Sequence, residues 1–325
     1  MENMTREEII YLDDPRIRKH FVVWEDMKRI TDPHPHHEPR MVGVYSMPRS
    51  WWLFPGEYVE LDVPEWVKML GVIFELASHH YRARLYVNGE NITPDYLDGF
   101  CMGVIDGLGC IRWFMLPSGE KRIIRLEITD SYNPALQFFG SSLDPTLYGW
   151  EKGGTKTEVV DTPHNFCLSG FILKDNIQMP TPVFSSVSWT QDQLKSTVIP
   201  RAKDNGKIPG ILEIGYIPHP GELSFMRLNV DDEDIEVDIT DGWGIAPFNR
   251  IMNFKLTEFM NGEELHGENI EAFGRVLRWD DNNKSIALTH PLPFMSMLRI
   301  QLRNYNTEKD AHLISLRCIA KVRLC

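Results

Sequence analysis

The chain has 325 residues, 42% hydrophobic and 25% charged, with 34 Lys and Arg against 46 Asp and Glu for a net charge of −12. This length suits a globular protein with two cores, while the acidic balance argues against coating bare nucleic acid, which needs a surplus of Lys and Arg to replace counterions on phosphates. No stretch reaches the apolar length of a membrane-spanning helix.

Residues 1–40 read as an N-terminal arm. Met1 to Glu8 lacks the basic and apolar regions of a signal peptide, so synthesis in a cytoplasm is expected. Thr5 followed by Glu8 has the spacing of a capping box and predicts a short helix carrying Ile9, Ile10 and Leu12. The arm holds seven Lys and Arg against nine Asp and Glu, so it is not a basic tail. His34, His36 and His37 stand close enough together to suit a transition metal, although the flanking Pro33, Pro35 and Pro39 more simply describe an extended exposed segment.

Residues 41–150 read as a first β-sandwich. Short strand-like runs are separated by the turn signals Pro55-Gly56, Asn88-Gly89, Asp98-Gly99 and Pro117-Ser118-Gly119. Trp51 and Trp52 are adjacent and so face opposite ways on a strand, one to the core and the other to a sugar, a domain or a subunit. Residues 151–165, polar and centred on Gly153-Gly154, form the expected linker. Residues 166–325 are then a second sandwich, whose last strand carries Ile314, Leu316, Cys318, Ala320, Val322 and Leu324 on one face.

A partial repeat supports two related units. Arg84 to Phe100 aligns without gaps on Arg227 to Trp243, with eight of seventeen positions identical and a separation of 143 residues, the size of one domain. Apolar runs precede both copies, at Met69 to Phe74 and Ile211 to Tyr216. Strict alternation follows both, at Ile124, Leu126 and Ile128 and at Leu298, Ile300 and Leu302. This register predicts Arg84 over Arg227 and Asp98-Gly99 over Asp241-Gly242. Within the second copy, Asp231, Asp232, Glu233, Asp234, Glu236 and Asp238 could supply oxygen ligands to calcium, but alternation with Ile235, Val237 and Ile239 reads first as the solvent face of a strand.

Searches for chemical motifs are negative. There is no Gly-x-Ser-x-Gly elbow, Walker loop, dinucleotide glycine fingerprint or His-Glu-x-x-His helix. Cys101, Cys110, Cys167, Cys318 and Cys325 are odd in number and lack Cys-x-x-Cys spacing, so reduced thiols are expected, with neither a disulfide framework nor a zinc site. A cupin-type metal enzyme needs clustered inward ligands; His79 and His80, being adjacent, point apart.

Two resemblances rest on these residues. Phe54 to Leu61 looks like an opening strand, Arg84 to Ile92 and Arg227 to Ile235 like matching mid-roll strands, Pro291 to Phe294 before Leu298 to Asn304 like a closing pair, and Leu313 to Leu324 like a last strand. In these the chain resembles the double jelly-roll major capsid proteins of icosahedral DNA viruses. That resemblance implies an all-β fold of two tandem jelly rolls and a non-enzymatic role in the virion. It also implies pseudo-hexagonal homotrimers tiling an icosahedral shell, with neighbouring capsomers and minor capsid proteins as partners and no cofactor or direct nucleic-acid contact. Tyr86 to Glu90, Asp98 to Phe100 and Ser118 to Ile128 are similar to pieces of the sugar-binding β-sandwich of β-galactosidase-type enzymes. That resemblance implies a non-catalytic carbohydrate-binding tandem sandwich, such as a phage tail or decoration protein, since no room remains for a catalytic barrel of roughly 250 residues.

Overall fold

A computed structural model describes residues 6–20, 40–47, 50–53, 56–78, 80, 82–93, 96–104, 107–119, 121–128, 166–194, 196–232, 234–241, 249–256, 277–280, 285–288 and 290–325. Two sets of eight strands build it. The first set is β1 (Glu7–Tyr11), β2 (Tyr58–Val63), β3 (Met69–Leu76), β4 (Arg82–Val87), β5 (Leu97–Asp98), β6 (Leu108–Met115), β7 (Arg122–Ile128) and β8 (Phe166–Lys174). The second is β9 (Phe184–Thr190), β10 (Gly210–Ile217), β11 (Gly221–Val230), β12 (Glu236–Asp241), β13 (Asn249–Lys255), β14 (Ser285–Leu288), β15 (Leu298–Asn304) and β16 (Ala311–Arg323).

The first set forms sheets of order β1-β8-β3-β6 and β2-β7-β4-β5, and the second forms β9-β16-β11-β14 and β10-β15-β12-β13. Adding eight to a label in one set gives its counterpart in the other. In each set the chain crosses between sheets and the last strand returns to lie between the first and the third, which is jelly-roll strand order. The protein is therefore all-β, with two jelly rolls in tandem, as the sequence led us to expect. Shorter strands, among them Arg18–His20, Trp51–Leu53 and the hairpin Arg40–Val42 with Tyr45–Met47, attach around the first roll.

Several boundaries differ from the sequence reading. Glu7–Tyr11 is not a helix but the first strand of the first roll, paired along β8 from Glu7 opposite Lys174 to Tyr11 opposite Gly170. An isolated helical turn is marginal, and a vacant sheet edge outcompetes it. The described residues 6–20 of the segment read as an arm are thus part of the first sandwich, with Ile10, Leu12 and Ile17 buried. Phe166–Lys174, read as the start of the second sandwich, closes the first one against β1 and β3. The second roll begins at β9. The linker 151–165 lies outside the described residues.

The repeat holds as topology but not in the predicted register. Arg84 lies on β4 and Arg227 on β11, whereas the counterpart of β4 is β12 and that of β11 is β3. The seventeen-residue match is one strand out of step. The later alternations, on β7 and β15, are true counterparts. On β16 a bulge opposite Asn229 and Val230 shifts the facing, so Leu313 is buried and Ile314 is exposed.

Strands β2 and β7 alternate buried and open positions, whereas β3 is buried throughout because both of its faces are covered. A side chain at Gly71 would meet the Trp113 ring at 2.8 Å, and one at Gly109 would meet Val42 at 2.6 Å, so the hairpin and Trp113 lie directly on this sheet. Because β1 completes the sheet, Ile10→Ala should destabilise the protein by about 2–5 kcal/mol in denaturant unfolding. Deleting residues 1–20 should abolish folding of the first roll. Soluble, fully folded product from that deletion would show that β1 is dispensable.

Candidate functional site

Among the described residues, buried polar side chains cluster at the junction between the rolls and inside the first roll, with further buried ion pairs in the second roll. At the junction, Arg82 on β4 donates from Nε to Asp98 Oδ2 at 2.7 Å and from Nη2 to Tyr216 Oη of the second roll at 2.9 Å. The Tyr216 ring packs on Phe100 with centroids 5.6 Å apart. His219 donates from Nε2 to the Phe100 carbonyl at 2.9 Å, and Arg112 donates to its Nδ1. Both partners therefore select one neutral tautomer. Backbone bonding continues the contact, with Ile111 N–H on the Leu324 carbonyl at 2.7 Å and Arg112 Nη1 on the Arg323 carbonyl at 3.2 Å. Gly103, at φ +77°, sits so close to Ser188 that a Cβ would fall 2.4 Å from its carbonyl oxygen. The two rolls thus share hydrogen bonds and packed rings at their junction.

Burial, reinforced by the Arg112 charge, holds the His219 imidazole well below its usual range, against the opposing pull of the Phe100 carbonyl. Burial likewise pushes the Cys101 thiol upward and the Cys110 thiol to about 11. All five cysteines are buried and unbridged.

The cluster inside the first roll lies on the face of the first sheet opposite Phe74 and Phe166, whose rings stack at 5.2 Å. Their neighbours Glu75 on β3 and Cys167 on β8 point the other way by alternation. A bulge at Ser169, between the register pairs Leu168 with Phe74 and Gly170 with Ile73, keeps Cys167 and Ser169 beside Glu75. Ser50 Oγ donates to Glu75 Oε1 at 3.0 Å and lies 2.9 Å from Ser169 Oγ. His80 Nδ1 bonds the Glu75 carbonyl at 2.9 Å, so Nδ1 carries the proton and Nε2 the lone pair. One ligand atom from each of Glu75, His80 and Cys167 lies within 4.8 Å of the others, and all three residues are buried. Burial, with Glu75 adding to it by charge and hydrogen bond, holds the Cys167 thiol well above its usual range. Among the described residues no second group of this kind occurs.

The residues singled out by sequence fare differently. His34, His36, His37, His79 and Glu233 lie outside the described residues. Trp51 is half-buried with the Lys19 ammonium 4.9 Å from its ring centroid. The acidic run is not a plain solvent face: Asp238 is 1% exposed and paired with Arg303, which also reaches Glu236 at 3.5 Å. Asp232 meets Lys309 at 2.9 Å and Asp231 meets His312 at 3.1 Å. Arg303 and Lys309 thus supply cations to Asp232, Glu236 and Asp238 of the run. Strand β12 pairs with β15 on one side and β13 on the other, which explains the burial. Sequence reasoning missed Glu75, His80 and Cys167 as a group because β3 and β8 are adjacent in the sheet but far apart in sequence.

Several large apolar side chains of the hairpin and of the segment leading into the second roll are exposed. Met41 and Val44 on the hairpin, Ile177 and Met179 between the rolls and Phe184 at the start of β9 are 50–81% exposed. Gly43 lies against Val183, which joins the hairpin to this connecting segment.

No family model matches the sequence, and no curated protein matches it. Similar solved structures include the tandem CBM51 modules of a family 98 glycoside hydrolase from Streptococcus pneumoniae SP3-BS71, at 8% identity over 96% of this chain and 99% of that one, with a TM-score of 0.30. A family 35 carbohydrate binding module from Clostridium thermocellum is 13% identical over 51% of this chain and 97% of its own, with a TM-score of 0.28. A triple jelly-roll structure from an archaeal virus is 7% identical over 85% of this chain and 59% of its own, with a TM-score of 0.25. Carbohydrate-binding and viral jelly-roll structures, the two classes the sequence resembles, are both represented. With TM-scores this low the likenesses carry no argument, and the jelly-roll assignment rests on strand order.

Two outcomes test this picture. Asp238→Asn leaves Arg303 with a weakened buried partner while Glu236 remains, and should lower stability by about 1–3 kcal/mol in denaturant unfolding. For His219 the folded-state proton affinity lies below that of the unfolded chain, so its contribution is complete above pH about 6.5 and is lost as pH falls below it. Between pH 6.5 and 5, stability should fall more steeply in the native protein than in His219→Gln, by up to about 1.4 kcal/mol per pH unit. Equal slopes would show that His219 takes up its proton in the folded state.

Proposed function

We propose that this protein is a structural major capsid protein of the double jelly-roll kind, assembling as pseudo-hexagonal homotrimers that tile a closed shell. The observation that carries the reading is the pair of rolls with the same strand order, joined by a buried junction. Three such pairs around an axis present six similar units, a near-hexagonal tile. The net charge of −12 suits a coat that leaves its genome uncontacted. The exposed apolar side chains Met41, Val44, Ile177, Met179 and Phe184 would be covered by neighbouring copies.

Sedimentation and electron microscopy of the purified protein test the proposal. A homotrimer burying more than roughly 2,000 Å² per contact, visible as hexagonal tiles, is the expected result. The double substitution Met179→Glu with Phe184→Glu should yield folded monomers. A stable native monomer at micromolar concentration that shifts on sugar arrays would replace this reading with a carbohydrate-binding one.

A further inference from the structure

We infer that Glu75, His80 and Cys167 form a structural zinc site that pins β8 to β3 within the first roll. Thiolate, imidazole and carboxylate are the three donor types that zinc accepts, and their ligand atoms lie within 4.8 Å of one another. Around a tetrahedral zinc, donor atoms stand about 3.3–3.6 Å apart, so side-chain rotation has to close at most about 1.5 Å.

The surroundings resemble the outer shell of a metal centre. Zinc-bound histidines commonly donate their second ring nitrogen to a carbonyl or carboxylate, and His80 Nδ1 bonds the Glu75 backbone carbonyl at 2.9 Å. Ligating carboxylates are themselves hydrogen-bonded, and Ser50 Oγ donates to Glu75 Oε1 at 3.0 Å. The Ser169 hydroxyl, 2.9 Å from that of Ser50, completes a polar wall that can hold a water molecule as fourth ligand. Three protein ligands leave the fourth position to water, but burial of all three closes the site to substrate, so the ion's role there is to hold strands together. Its place also fits: the three ligands come from β3, the segment after it and β8, so one ion ties the closing strand to the sheet it enters.

The test uses the full chain, purified without chelator and then dialysed against metal-free buffer. Elemental analysis should find one zinc per chain, and cobalt substitution should give the absorption of a thiolate-bound ion. Stripping the metal with a chelator and then restoring zinc to a hundredfold excess over its dissociation constant should raise the melting temperature by about 4 °C. Cys167→Ser and His80→Gln should each weaken zinc binding by more than about 100-fold, because even outer-shell partners are worth about 10–100-fold. Cys318→Ser, a buried cysteine of the second roll, should leave binding unchanged. If a ligand variant fails to fold, the native protein decides alone. Native chain without stoichiometric zinc and without a thermal response to it overturns the inference, as does equal loss of binding in Cys318→Ser.

Discussion

Everything in this molecule depends on strand closure, the insertion of β8 between β1 and β3 and of β16 between β9 and β11. Until that insertion the first and third strands share no partner and neither sheet has its full width. The pairing joins segments distant in sequence, so chain entropy is lost before any contact repays it. The repayment is hydrophobic: Phe166, Leu168, Phe171, Ile172 and Leu173 on β8 and Leu316, Cys318, Ala320 and Val322 on β16 are all buried. Gly170 belongs to the same constraint, because a side chain there would fall 2.2 Å from the Ile10 carbonyl and hold β1 away.

Buried charge then fixes how the closed parts fit. Arg299 grips Glu213 through two hydrogen bonds of 2.5 and 2.9 Å across β15 and β10, and Arg82 grips Asp98 while reaching Tyr216 of the other roll. Such pairs contribute little net stability compared with apolar residues of the same size, yet a misregistered sheet would strand each charge without its partner. They select among packings that hydrophobic contact alone leaves close in energy. Asp241 does the same for a loop, accepting the N–H groups of Met295, Ser296 and Met297 at 2.6–3.0 Å. Burial alone would raise its carboxyl, but these donors bring it below the usual carboxylate range.

Much of the architecture was legible because alternation on β7 and β15 reports a two-faced strand wherever it occurs. Fold class and duplication followed from such patterns and the turn signals between them. The register did not, because a roll crosses repeatedly between sheets and its strands carry similar alternations: β4 matched β11 in sequence although its counterpart in the fold is β12. Glu7–Tyr11 misled for a different reason, since its capping pattern is local and its sheet partner lies at the far end of the roll. Asp238 read as solvated because its partner Arg303 comes from another strand. Glu75, His80 and Cys167 left no trace in spacing at all, as a cluster assembled by closure has none.

The hydrogen bond from Ile111 to Leu324 places the second roll's end on an open edge of the first roll's sheet. During translation at about 5–20 residues per second, residues 116–325 take roughly 10–40 s to emerge after β6 has been made. For that interval β6 presents unpaired backbone donors and acceptors, the template on which nascent chains of a polysome can join edge to edge. The order of synthesis thus leaves a vulnerable window that chaperone supply and codon usage can narrow, and a gene made to overproduce this protein meets it first.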